Sequence, residues 1–173
     1  MTVTKRAAMI WWVGGLIAFA IVVGVHFPLI TAGVPGGIVD HQSAPDAATV
    51  DAIQNSWRSD GLLNQAALAM IADFIFIGIY GVGCVLAGMY YRAKSDGKLR
   101  FLGLLAVLSG LVFLATDYGE TIAQFIQLMA LAGDDGLAAI ASTLQPIKSA
   151  AWIGGFITVA LALILERFSS SGT

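Results

Sequence analysis

The sequence predicts an all-α fold: a polytopic integral membrane protein built as a four-transmembrane-helix bundle, with a short amphipathic helix in the outer loop between helices one and two. Three observations carry this. Of 173 residues, 58% are apolar and only 12% charged, about half the charged fraction of an ordinary soluble domain, so a water-exposed surface could not be coated. The apolar residues fall into four blocks, at about 7–30, 62–91, 101–131 and 147–166, each at or near the roughly 20 residues that cross a ~30 Å hydrocarbon layer. None alternates with period two, and a helix satisfies its own backbone in lipid, so the blocks are helices rather than barrel strands.

The chain reads as a single transmembrane domain, element by element. Lys5 and Arg6 precede the first block, as in a cleaved leader, but its apolar run exceeds a leader's core, so it is read as a retained span. Trp11 and Trp12 near its inner end, and Tyr90 and Tyr91 at the end of the second block, sit where aromatic rings prefer the headgroup level. The outer loop, 31–61, holds Ala47, Val50, Ile53 and Trp57 at helical spacing, with Asp46, Asp51, Gln54, Asn55 and Arg58 interleaved. Pro45 and Gly61 punctuate that helix. It reads first as an interfacial helix lying on the bilayer, and second as a lid over a bundle cavity.

A basic inner loop, 92–100, separates the second and third blocks. The outer loop 132–146 carries a turn at Gly133, Asp134, Asp135 and Gly136, then a short helix over 137–144 that ends where Pro146 resets the direction for the fourth span. Asp134 and Asp135 are read as solvated. A tail, 167–173, follows. Seven cations, Lys5, Arg6, Arg92, Lys94, Lys98, Arg100 and Arg167, fall on one side and two, Arg58 and Lys148, on the other. Both termini are therefore expected in the cytoplasm of a bacterial inner membrane. Small residues recur four apart at Gly14 and Ala18, Gly83 and Ala87, Ala106 and Gly110, and Gly154, Thr158 and Ala162, rows that let backbones approach closely in lipid.

Several function classes are excluded. A net charge of −2 gives no footprint for nucleic acid. Cys84 stands alone, so no intrachain disulfide and no cysteine metal cage can form. No HExxH, nucleophile-elbow, Walker or dinucleotide pattern occurs, and no metal site is expected. His26 and His41 are separated by a loop with Pro28 and Pro35, which argues against paired haem ligation, and the sequence identifies no cofactor.

The candidate site comes from ionisable residues inside the spans, which cost about 2.5–3.5 kcal/mol each at a helix centre and so rarely face lipid. Counting ~1.5 Å per residue from the basic boundary places His26, Asp117, Glu120 and Lys148 near the outer interface and Asp73 deeper, all in the outer half. Asp117, Glu120, Thr121, Gln124 and Gln127 follow i, i+3, i+4, i+7 and i+10, one helical face. Lys148 and Trp152, one turn apart, could add a cation and an aromatic wall. A carboxyl as deep as Asp73 is either protonated or held in a specific pair. Alternatively these groups pair with one another, His26 with a carboxylate and Lys148 with Glu120 or Asp117, only to neutralise charge.

His26-Phe27-Pro28 at the outer end of helix one, the long loop after it and the acids in later helices give the chain a layout similar to that of the small four-helix membrane proteins of the sterol-isomerase and sigma-2-receptor group. The resemblance covers architecture and one tripeptide, and implies an apolar cavity whose acidic groups hold cationic or sterol-like ligands. The expected function is binding or transport of a small-molecule ligand, proton or cation through a polar cavity in the outer half of the bundle, with Asp73, Asp117, Glu120, Lys148, His26, Trp152 and Gln124 lining it. An accessory subunit of a larger membrane complex, a homo-oligomer, and an intramembrane lipid or sterol isomerase are the competing readings.

Overall fold

The computed structural model describes residues 3–170. Among them are six α-helices and no strand: α1 (Lys5–His26), continued by a 3₁₀ turn (Phe27–Leu29), α2 (Ile38–Gln42), α3 (Ala47–Ser59), α4 (Leu63–Arg92), α5 (Gly97–Ala130) and α6 (Asp135–Ser170). Residues 171–173 of the expected tail lie outside the described residues. α1, α4, α5 and α6 are each long and apolar enough to cross a membrane, so the chain is an integral membrane protein of the all-α class. At 30, 34 and 36 residues, α4, α5 and α6 run to roughly 45–54 Å, well beyond a ~30 Å hydrocarbon layer.

Two local expectations change. The segment before Pro146 is not a separate helix, because α6 begins at Asp135 and passes through Pro146 without a break. Proline removes one N–H and crowds the Ser142 carbonyl, whereas ending a helix orphans up to four groups, so continuity is the cheaper arrangement in an apolar setting. Nor does α3 lie on the bilayer by its apolar side. Val50, Ile53, Gln54 and Trp57 are all buried within the protein, and Asn55 and Arg58 are exposed.

Its ends explain why α3 forms. Asp46, in extended backbone, accepts from the Thr49 amide at 2.8 Å, an N-cap that satisfies one orphan donor. At the other end Gly61 takes φ 72°, with Leu62 N–H donating to Trp57 O at 2.7 Å and Gly61 N–H to Arg58 O at 3.2 Å. This double bond pattern with a left-handed glycine is a Schellman stop, and Leu62 packs in the same apolar cluster as Trp57, as that motif favours.

The chain divides into two compact units, each drawing a section from every long helix. The basal unit comprises 1–17, 77–114 and 148–173, and the capped unit 18–76 and 115–147. In the basal unit α4 is the centre of packing, and glycine sets the approach. A Cβ on Gly83 would stand 2.7 Å from the Trp12 backbone nitrogen, one on Gly15 would stand 2.6 Å from Tyr80 Cα, and one on Gly110 would stand 3.0 Å from the Gly81 carbonyl. The rows containing Gly83 and Gly110 therefore work as contact faces. Gly14 does not share that role: its Cβ would meet only Ile79, at an ordinary 3.7 Å.

The capped unit has its own apolar core, which joins Leu29, Val34, Ile38, Val50, Trp57, Met70, Leu128 and Ala138. The Trp57 indole N–H donates to Leu29 O at 3.1 Å, inside this core. Two aspartates fasten α3, the cap of this unit, to the α5–α6 turn: Asp51 accepts from Gly133 N–H at 2.6 Å, and Asp135 from Ala47 N–H at 2.8 Å. Asp134 accepts from Leu137 N–H at 2.9 Å and donates its own N–H to Gln127 at 3.0 Å. The two turn aspartates, though exposed, are thus hydrogen-bonded fasteners and not merely solvated charges.

Candidate functional site

The capped unit concentrates the polar side chains. On α5, Asp117, Glu120, Thr121, Gln124 and Gln127 are all buried, so the single face read from their spacing is an inward one. Helical geometry places Glu120 and Gln124 one turn apart, and the Gln124 amide donates to Glu120 Oε1 at 3.1 Å. Gln127 donates to the Ala123 carbonyl at 3.2 Å. Such a row in the interior of a membrane protein needs internal partners, because neither lipid nor an apolar core supplies any.

His26 and Asp73 meet as a pair, His26 Nε2 to Asp73 Oδ2 at 3.0 Å, with side chains 18% and 10% exposed. His26 is the last residue of α1, and Asp73 lies three turns into α4. Helical side chains lean toward their own N-termini, so in oppositely running helices the imidazole and the carboxylate reach toward each other. Tyr118 O–H donates to the Phe74 carbonyl at 3.1 Å and its ring stacks on Phe74 at 6.1 Å, which ties α5 to α4 one residue beyond Asp73.

The second cluster was not expected from the sequence. His41, read as a loop residue, is buried on α2, where it stacks on Trp57 at 5.4 Å and meets Gln54 of α3, with Nε2 of each 3.3 Å apart. Burial holds its imidazole down to about 4, while Gln124 beside it works in the opposite sense. The ring is therefore neutral at neutral pH. The neutral ring offers one donor and one acceptor, and the two glutamines beside it, Gln54 and Gln124, can each serve as either partner. Gln54, His41, Gln124 and Glu120 thus form a buried polar chain that runs from the cap to the acid on α5. The signal for Gln54 was in the pattern: positions 50, 53, 54 and 57 share one face of a 3.6-residue helix, which puts this glutamine among the apolar residues.

Of the seven residues singled out from the sequence, His26, Asp73, Asp117, Glu120 and Gln124 belong to the capped unit. Lys148 and Trp152 belong to the basal unit. Trp152 accepts there, through its carbonyl, from Tyr80 O–H at 2.7 Å, and its ring stacks on Phe156 at 6.3 Å. The basal unit also carries an acid that the sequence reading passed over: Glu166 pairs with Lys5 at 2.7 Å and Lys94 at 2.8 Å, and accepts from Tyr90 O–H at 2.7 Å. Among the described residues no three His, Cys, Asp or Glu side chains converge as a metal site.

Comparison with known proteins returns no matching family model, no matching curated protein and no matching solved structure.

Proposed function

We propose that this protein binds a proton or a small cation in its capped unit and exchanges it across the membrane. The observation that supports this reading is the buried row Asp117, Glu120, Thr121, Gln124 and Gln127, which shares one unit with the His26–Asp73 pair. Carboxyl groups withdrawn from water settle their charge by taking up a proton or a cation or by pairing. Two of the acids here have neighbours fit for exchange. Asp73 faces the His26 imidazole, whose ring nitrogens can both give and accept a proton, and Glu120 connects through Gln124 to His41 beneath α3. In this reading α3 is a lid, and Glu120 and Asp73 are the exchange groups. The basic loop is the cytoplasmic side of a bacterial inner membrane, and the lid faces outward.

The test is flux into vesicles reconstituted with the purified protein, with an enclosed pH dye for protons and sodium or potassium gradients for cations. Glu120→Gln and Asp73→Asn keep hydrogen-bonding shape without a titrating group, and each is expected to lower flux at least about tenfold while helicity is retained. Wild-type vesicles no leakier than empty ones, or unchanged flux in both variants, would defeat the proposal. Orientation is read separately, by labelling single cysteines introduced at Ser59 and Ser95 in intact cells: Ser59→Cys should react with an impermeant reagent and Ser95→Cys should not.

A further inference from the structure

In the basal unit, α5 and α6 leave an apolar groove of about 510 Å³. Phe101 and Leu102 of α5 and Leu161, Ile164 and Leu165 of α6 line it, with Lys98 at its rim. Phe101, Leu161 and Ile164 are exposed, so the groove opens sideways, in the direction lipid occupies around a spanning helix. Its volume lies within the roughly 300–1,000 Å³ of small-molecule sites.

The charge at the rim is what makes the groove selective. Lys5 and Lys94 are both engaged by Glu166, whereas Lys98 makes no ion pair among the described residues. Its backbone N–H is already taken by Asp96 Oδ1 at 2.7 Å, so the free positive charge here is the side-chain ammonium and not the capped helix end. Lys98 precedes Phe101 and Leu102 by three and four residues, one helical turn, which puts the ammonium over the same strip of α5 that lines the groove. Arg92 and Arg100, both exposed, add positive charge at this end of the helices. The quaternary ammonium of a zwitterionic headgroup would meet like charge here, while a headgroup carrying only phosphate would not.

We propose that this groove binds an anionic phospholipid, with an acyl chain against Phe101, Leu161 and Ile164 and the phosphate on Lys98. Each buried CH₂ and the phosphate contact would add to retention.

The test is native mass spectrometry of the full chain released from micelles with equal amounts of phosphatidylglycerol and phosphatidylcholine of matched acyl chains. The wild type is expected to retain phosphatidylglycerol preferentially. Lys98→Gln should cut that preference about fivefold, and Leu161→Trp, which fills the groove, should reduce retention of either lipid. Arg6→Gln removes one basic charge that does not line the groove and should leave the preference intact. No preference in the wild type, an equal loss in Arg6→Gln, or lipid-free dimers that Leu161→Trp dissociates would each overturn the assignment, the last in favour of a second copy of the chain.

Discussion

Whether α3 is clasped to the protein or merely rests near it can be decided by one substitution. Trp57→Phe keeps an aromatic ring against His41 but removes the indole N–H that donates to Leu29 O at 3.1 Å. Both residues are fully buried, so water cannot replace the lost donor while the cap stays closed. An orphaned buried carbonyl costs about 1–3 kcal/mol, taken entirely from the closed state. Local opening of the cap should therefore rise about 5- to 160-fold. Hydrogen exchange followed by mass spectrometry in micelles reads this directly: amides of α3 should exchange faster by that factor, while those in the middle of α4 and α5 keep their rates. A change under twofold in α3, or an equal acceleration in α5, would refute the reasoning, the first because the bond does not hold the cap and the second because the unit opens only as a whole.

The cap should also loosen in acid. In the closed state His41 holds its proton only below about pH 4, against 6.5 for the ordinary residue, so between these values the open cap binds a proton that the closed cap does not. Stability is flat above pH 6.5 and falls as pH drops, by about 2 kcal/mol at pH 5 and about 3 kcal/mol at the limit. Exchange in α3, corrected for intrinsic rates, should show this slope, and His41→Gln should flatten it. In the basal unit, Gly83→Ala places a methyl 2.7 Å from a backbone nitrogen that no rotamer change can move, and should cost about 1–3 kcal/mol, seen as a lower melting temperature in detergent. Gly14→Ala, with only Ile79 at 3.7 Å, should be neutral or slightly stabilising.

Much of the site was legible because helix geometry is local. The 3, 4, 7 and 10 spacing on α5 needs no knowledge of the fold to place Asp117 through Gln127 on one face, and burial in the capped unit makes that face an inner one. The same arithmetic applied to α3 would have found Gln54. It could not have found His41, because α2 is a five-residue helix set between glycines and a proline, with no period long enough to reveal a buried side. The hydrogen bonds that tie α3 to the α5–α6 turn were out of reach for a related reason. Asp51 and Asp135 find backbone amides 82 and 88 positions away, a distance over which periodicity carries nothing.

What the sequence settled by itself is the solvent and the secondary structure. Scarce charge and four long apolar runs require lipid, and lipid requires helices, since no other backbone form satisfies its own amides there. Tertiary structure alone decided which polar group meets which. Asp73 took His26 within the capped unit, Glu166 took Lys5 and Lys94 within the basal unit, and α3 turned its apolar face onto the protein. Those pairings depend on contacts between residues far apart in the chain, where the depth of a residue along its own helix says nothing about which neighbour faces it.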